Sequence, residues 1–385
     1  ESELSTTLLQ QEKWAIENLD YYEPLPLDLI FKEGDSENIR KRFIQAIRIN
    51  PDSKLIPYLQ LLPGEDPMDY QILSPGDITP LKQNSGLNNV LFVGLNTGKL
   101  IDPLHVLVTA NDEPDMGMDV GLYENNGTTA GKIYGFGIQP FGNPNLEYGS
   151  QAPIHMGLYH ETKLVKKLAP FLGHCLPEYR IHLYKTLAEL AFREGQDYWG
   201  WRFMGWGLHY IADLAQPYHT RALPGVSTGK MIRMNLLNIM GFPKMQNHAI
   251  QLVSNRHTAI ESFERQLLEK AYLENNSNYL QFQSLGKAVS VPVYQNDFPR
   301  KIIAKQSNAE ATLLDQTIAD HFPATLVSDP EFELGTSPEQ KKILEIVQEA
   351  GGDAAVSTLE KQINDLLQLF SIYGRSYVVS ILAAD

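Results

Sequence analysis

Apolar residues recur three and four positions apart over several long stretches of this chain, the spacing of helices with one buried stripe. The clearest stretch is "EYRIHLYKTLAELAFREGQDYWGWRFMGWGLHYIADLAQ". Its pattern predicts two helices, roughly 178–194 and 197–215, with Gly195 as the C-cap between them. "QNHAIQLVSNRHTAIESFERQLLEKAYLENN" predicts another long helix. Near the C-terminus, "STLEKQINDLLQLF" opens with Ser357 and Glu360 at capping-box spacing. Leu359, Ile363, Leu366, Leu367 and Phe370 then fall on one face, as in a packing helix.

The rest of the pattern is less regular. "QQEKWAIENLDYY" and "SENIRKRFIQAI" predict short helices, the second with Ser36 as N-cap. Proline-rich connectors, "EPLPLDL" and "LLPGEDPMDYQILSPGDITPL", lie between and after them. "NNVLFVGLN" holds a short apolar run, and strand signals are otherwise few. Residues 112–152 are rich in Gly, Asn and Asp and predict a loop too long for a mere connector. The fold class expected is therefore mainly α, a multi-helix domain with long loops. Three regions are expected: an N-terminal extension over 1–90, a helical domain over 91–275, and a C-terminal helical region over 276–385 packed on the core.

Composition narrows the function classes. The chain has 385 residues, 43% of them hydrophobic and 10% aromatic, which suits a folded soluble protein. The formal net charge is −14, so the surface repels phosphate backbones, and nucleic-acid binding by charge alone is disfavoured. A small substrate held through bound metal stays open, because the metal supplies local positive charge. Cys175 is the only cysteine, so any metal site must use His, Asp and Glu. No apolar run approaches the roughly 18–20 residues of a membrane span.

The chemistry concentrates in "GWGLHYIADLAQPYHTRALPG". His209 and Asp213 are four apart on a predicted helix, which puts their Cβ atoms about 5–6 Å apart on one face. Pro217 ends that helix and lets His219 approach from another direction. Imidazole nitrogen and carboxylate oxygen suit Zn²⁺ and related ions. A buried helix whose His and Asp bond each other would explain this stretch alone equally well. His257 and Glu261, again four apart on a helical segment, favour the metal. "TANDEPDMGMD" adds Asp112, Glu113, Asp115 and Asp119, without the spacing of a calcium loop. "QAPIHMGLYHETK" adds His155 and His160. Five of the chain's ten histidines fall in these segments.

These residues resemble a known family. "HYIADLAQPYH", followed by His257 and Glu261 in "HTAIESF", is similar to the bacterial zinc-dependent phospholipases C, whose fold is shared with the fungal single-strand nucleases. The family pattern H-Y-x-(G/A)-D-(L/I/V)-x-x-P-x-H is matched throughout, and the likeness covers roughly 105–270. The resemblance implies an all-helical domain holding two to three zinc ions. One zinc would be held by His209, Asp213, a loop aspartate matching best at Asp115, and His155 or His160, with His155 in the better context. A second would be held by His219, His257 and Glu261, with Asp213 bridging to a third metal. In the family an N-terminal tryptophan and a nearby histidine bind that third metal. Here the chain begins at Glu1, and His105 is the one histidine that could take the part.

The activity implied is hydrolysis of glycerophospholipids, phosphatidylcholine first, to diacylglycerol and a phosphorylated head group. Water activated by the metal would attack phosphorus, and Asp115 would take its proton by family analogy. Asp112 and Glu113, with Tyr123 and Tyr134, offer a choline pocket, although an ordinary polar loop accounts for them better. The partners implied are phospholipid and a transient membrane surface. The alternatives are a single-strand nuclease of the same fold and a non-catalytic, metal-stabilised secreted protein. The resemblance also implies export, with a leader removed.

Overall fold

The computed structural model describes residues 1–34, 38–87, 89–276, 278–287 and 290–384. It is mainly helical, with 64% helix and little strand. Ten helices matter here: α1 Ser2–Asn18, α2 Pro103–Asp112, α3 Lys163–Leu168, α4 Pro177–Arg193, α5 Asp197–Ala215, α6 Pro217–Thr220, α7 Thr228–Ile239, α8 Lys244–Leu273, α9 Ala304–His321 and α10 Ile343–Leu382. Three strands, β1 Tyr58–Gln60, β2 Gln71–Leu73 and β3 Phe92–Gly94, form an antiparallel sheet in the order β1–β3–β2. No helix among the described residues is long and apolar enough to cross a membrane.

The chain divides into two compact units that interleave in sequence, where the regions expected over 1–90, 91–275 and 276–385 are consecutive. The first comprises Glu1–His155, His174–Ile211 and Tyr377–Asp385; the second comprises Met156–Gly173 and Ala212–Ser376.

In the first unit strands β1 and β3 are buried on both faces, while the edge strand β2 is largely exposed. Tyr58 and Phe92 pack with Ile78 and Met116 on one side, and Leu59 and Val93 pack with Val106 on the other. That split follows the two-residue period of a strand. Pro177 sits at the first position of α4, where its missing N–H costs nothing. The helix ends at Arg193, and Gly195 takes the left-handed conformation (φ 67°) that the chain needs there to turn into α5. Asp102 caps α2 by accepting from the Leu104 N–H at 2.9 Å. Gly205 lets α2 approach α5. A Cβ there would lie 2.5 Å from the Ala110 Cβ and 2.7 Å from the Leu107 carbonyl oxygen.

In the second unit α8, α9 and α10 close a core around Phe263, Ile260, Leu314, Ile318, Leu359 and Ile363. Pro217 ends α5 at Ala215 and opens α6, with Gln216 between them in an extended conformation. Two expectations need correction. Ser357 and Glu360 do not start a helix, because α10 runs from Ile343 and is broken only at Gly352 (φ 63°, ψ −164°). A capping box on a running helix has no orphan N–H groups to satisfy. Leu359, Ile363, Leu366 and Leu367 are nevertheless buried, as the stripe requires, and Phe370 is half-buried. Residues 112–152 are not an open loop but carry short helical turns, among them Glu113–Met116, Thr129–Ile133 and Glu147–Gln151. Ser36 lies outside the described residues.

Gly205→Ala tests the close approach. Alanine favours a helix by up to about 1 kcal/mol, but overpacking against α2 costs about 1–3 kcal/mol. A lower midpoint in urea denaturation is expected, whereas an unchanged or higher midpoint would mean that α2 and α5 are farther apart.

Candidate metal centres

Among the described residues, two groups of side chains bring ligand atoms within 4.8 Å of one another: Asp115, His155 and His209 in the first unit, and His219, His257 and Glu261 in the second.

The first group is assembled from three local structures. Asp115 stands in the turn Glu113–Met116, His155 ends the short helix Ala152–His155, and His209 projects from α5. The His209 Nε2 lies 3.1 Å from the His155 Nδ1, and the Asp115 Oδ1 lies 3.6 Å from that Nδ1 and 3.7 Å from the His209 Nε2. A point equidistant from three atoms so spaced is about 2 Å from each, the length of zinc–nitrogen and zinc–oxygen bonds.

The surroundings decide which nitrogens face inward. The His209 Nδ1 lies 2.8 Å from the Asn111 carbonyl oxygen, which can only accept, so Nδ1 carries the proton and Nε2 a lone pair. The His155 Nε2 lies 3.2 Å from the Asp119 carboxylate, whose charge favours a proton on Nε2 and so leaves the lone pair on Nδ1. Two lone pairs 3.1 Å apart repel unless a cation or an added proton lies between them. This donor set fits a divalent metal.

Asp119 is fully buried with Arg180, whose Nη2 is 2.5 Å from it. Burial pushes the Asp119 carboxyl up, but Arg180, His155 and Tyr210 outweigh burial and hold it at about 2. Arg180 also donates to the carbonyls of Ile47 and Arg48 at 2.7 and 2.8 Å, and the Tyr210 hydroxyl donates to Asp119 from α5. A second buried pair fixes the turn that carries Asp115. Arg202 on α5 donates through Nε to Glu113 at 2.9 Å and through Nη2 to its other oxygen, and Trp206 Nε1 donates to Glu113 at 2.7 Å. Asp115 itself accepts from Gln151 Nε2 at 2.8 Å.

The second group is built on a turn and a helix. α6 presents His219, and α8 presents His257 and Glu261 one turn apart. The Glu261 Oε1 lies 2.7 Å from the His257 Nε2 and 3.2 Å from the His219 Nε2. The His219 Nδ1 faces Asp213 at 3.4 Å, which again leaves Nε2 to the group. The Tyr218 ring stacks on His257 with centroids 5.5 Å apart. Tyr218 is held in turn by Asp315, which accepts from its hydroxyl at 2.8 Å and from Arg256 at 2.6 Å.

Other expected residues lie elsewhere. Asp213 is near His219 rather than in the group of His209. The His160 Nε2 donates to the Arg300 carbonyl at 2.7 Å, which occupies that nitrogen, and His160 joins neither group. The His105 Nε2 lies 3.6 Å from Glu65 and likewise joins neither. The choline pocket does not form from the residues named for it. Glu113, Tyr123 and Tyr134 are buried, and Asp112 accepts from Gln60. Arg180, Asn111 and Gln151 were not anticipated. Arg180 could have been, since an arginine among the buried positions of an apolar stripe requires an anionic partner.

Comparison with family models, with curated proteins and with solved structures returned no match.

Asp119→Asn should cost about 3–5 kcal/mol of stability, because it strands the Arg180 charge. Asp119→Asn/Arg180→Met should recover much of that loss, and additive losses in urea denaturation would show that the pair is not coupled. The sign of the pH dependence follows from the depressed carboxyl. The stability that Asp119 confers is full above the ordinary carboxylate range and is lost as pH falls through that range toward about 2.

Proposed function

We propose that this chain is a zinc-dependent phosphodiester hydrolase of the phospholipase C type, acting on glycerophospholipids and exported from the cell. The observation that carries the reading is the inward direction of the lone pairs. In the first group Asn111 and Asp119 face the outer imidazole nitrogens and leave both lone pairs directed at the group, whereas in the second Glu261 faces Nε2 of both histidines. Structural imidazoles have no need to crowd their acceptor nitrogens together, whereas metal ligands do. The motif His209-x3-Asp213-x5-His219 with His257-x3-Glu261 supplies the family analogy, and the analogy supplies the substrate.

Asp115, His155 and His209 would hold one ion, and His219, His257 and Glu261 another. Zinc bound there would neutralise phosphate oxygens and lower the pKa of water from 15.7 toward about 7. The chain's own residues prepare that chemistry. Asn111 and Asp119 fix the tautomers of His209 and His155, and the buried Glu113–Arg202 pair fixes the turn beneath Asp115. Asp115 is more than half exposed, so its carboxylate is open to substrate and can accept a proton. Gln151 donates to Oδ1 and holds the carboxylate in one orientation.

Metal content and turnover test the reading together. The purified chain should contain zinc and should release phosphocholine from phosphatidylcholine faster than it degrades single-stranded RNA. The reverse preference would assign the nuclease chemistry, and stoichiometric zinc without turnover on either would remove the enzyme reading. His219→Ala and Glu261→Ala should each lose about one ion per chain and at least about a hundredfold in activity, with helical circular dichroism kept. Full activity in either variant would dissociate the second group from catalysis.

A further inference from the structure

The second unit carries one surface whose composition is opposite to the rest of the chain. Helix α7 has twelve residues, of which only Met234 is buried. Its sequence, TGKMIRMNLLNI, is nevertheless rich in large apolar side chains. Leu236 and Ile239 are exposed, the latter by 74%. The helix ends in a left-handed turn at Gly241 (φ 86°), where the Phe242 N–H donates to the Leu237 carbonyl at 2.8 Å. That turn holds Met240 and Phe242 out, Phe242 by 64%. Helix α3 packs beside α7, and Asn235 of α7 donates to the Leu168 carbonyl at 3.3 Å. Leu164 and Leu168 of α3 are exposed too. Single exposed apolar residues are ordinary, but six on and beside two adjoining helices mark a contact surface.

Charge identifies what the surface contacts. Asp and Glu supply 46 of the 385 residues, and the net charge is −14. Yet no acid occurs between Glu161 and Glu178, or between Asp213 and Glu261. These two windows contain α3 and α7. On and beside the two helices stand Lys163, Lys167, Lys230, Arg233 and Lys244, all exposed. An apolar patch rimmed by cations, on segments that carry no acid of their own, suits an interface that is apolar within and anionic at its surface. A second copy of this chain docking through the same patch would bring its own basic rim against this one and be repelled.

We propose that α3, α7 and the turn through Phe242 dock this protein on an anionic phospholipid bilayer. Ile239, Met240 and Phe242 enter the head-group region, and the lysines and Arg233 pair with lipid phosphates and carboxylates. The proposal stands on these observations, apart from the reaction proposed above, and its readout is binding rather than turnover.

The test is sedimentation of the full chain with vesicles of phosphatidylcholine alone and of phosphatidylcholine mixed with phosphatidylserine. Tighter binding to the mixed vesicles is expected, weakening as salt is raised. Ile239→Ser/Phe242→Ser should reduce partitioning onto mixed vesicles by about tenfold or more, since it removes two inserted side chains. Lys163→Glu/Lys167→Glu should abolish the preference for the anionic vesicles. Both variants should retain the metal content and circular dichroism of the parent, which separates docking from folding and from the metal centres. The proposal is overturned if the parent does not sediment with mixed vesicles or if both variants bind as it does. It is equally overturned if gel filtration shows a dimer that Ile239→Ser/Phe242→Ser converts to monomer.

Discussion

The Asp119–Arg180 pair is the interaction on which the first metal-ligand group depends. Two opposite charges taken wholly out of water gain little net free energy, because desolvation offsets most of their attraction. What the pair supplies is uniqueness of arrangement. Asp119 can accept from Arg180 and Tyr210 and lie beside His155 only when the loop before it, α4, α5 and the short helix ending at His155 are all in place. Arg180 adds the carbonyls of Ile47 and Arg48, which extends the same condition to the chain following the short helix Ile39–Ala46. A collapsed state that misplaced any of these segments would bury an unpaired charge, at several kcal/mol. The imidazole of His155 inherits its tautomer from this arrangement.

Four acids in "NDEPDMGMD" look alike in sequence and have four different fates. Asp112 accepts from Gln60, Glu113 is buried with Arg202 and Trp206, Asp115 joins two histidines, and Asp119 is buried with Arg180. Spacing cannot sort them, because each fate is set by partners about 40 or more residues away in sequence, on other elements. The resemblance singled out Asp115 by its context, and the structure places that residue with His155 and His209. His155 and His160 were ambiguous for the same reason. The carbonyl of Arg300, far along the chain, is what occupies His160.

Local signals were legible where local physics decides. Pro217 cannot continue α5, and the helix stops at Ala215. Gly195 tolerates φ 67°, and α4 stops just before it. His257 and Glu261 share one face of α8 because four residues make about one helical turn. The same rule, applied to His209 and Asp213, was correct for the backbone but did not determine the partner. Neighbouring Cβ atoms leave χ1 open, and the Asp213 carboxylate lies near the His219 ring beyond the proline. The capping box at Ser357 shows the converse failure. Its residues match the pattern, but the helix is already running from just past the break at Gly352, so the signal is left without work.

An acidic chain proposed to act on a phosphodiester at a lipid surface faces a long-range penalty in its own charge. At physiological ionic strength that penalty is screened over about 8 Å, so what matters is the charge within that distance of the phosphate. The sequence meets this condition by segregation. The acids are absent from 162–177 and 214–260. Histidine suits the interior of such a site better than lysine, because neutral imidazole binds a cation without bringing a fixed charge of its own. The positive charge that phosphate requires would then come from the ion where bonds change and from lysine and arginine where the protein rests. These two demands fall on different segments, so evolution could tune one without disturbing the other.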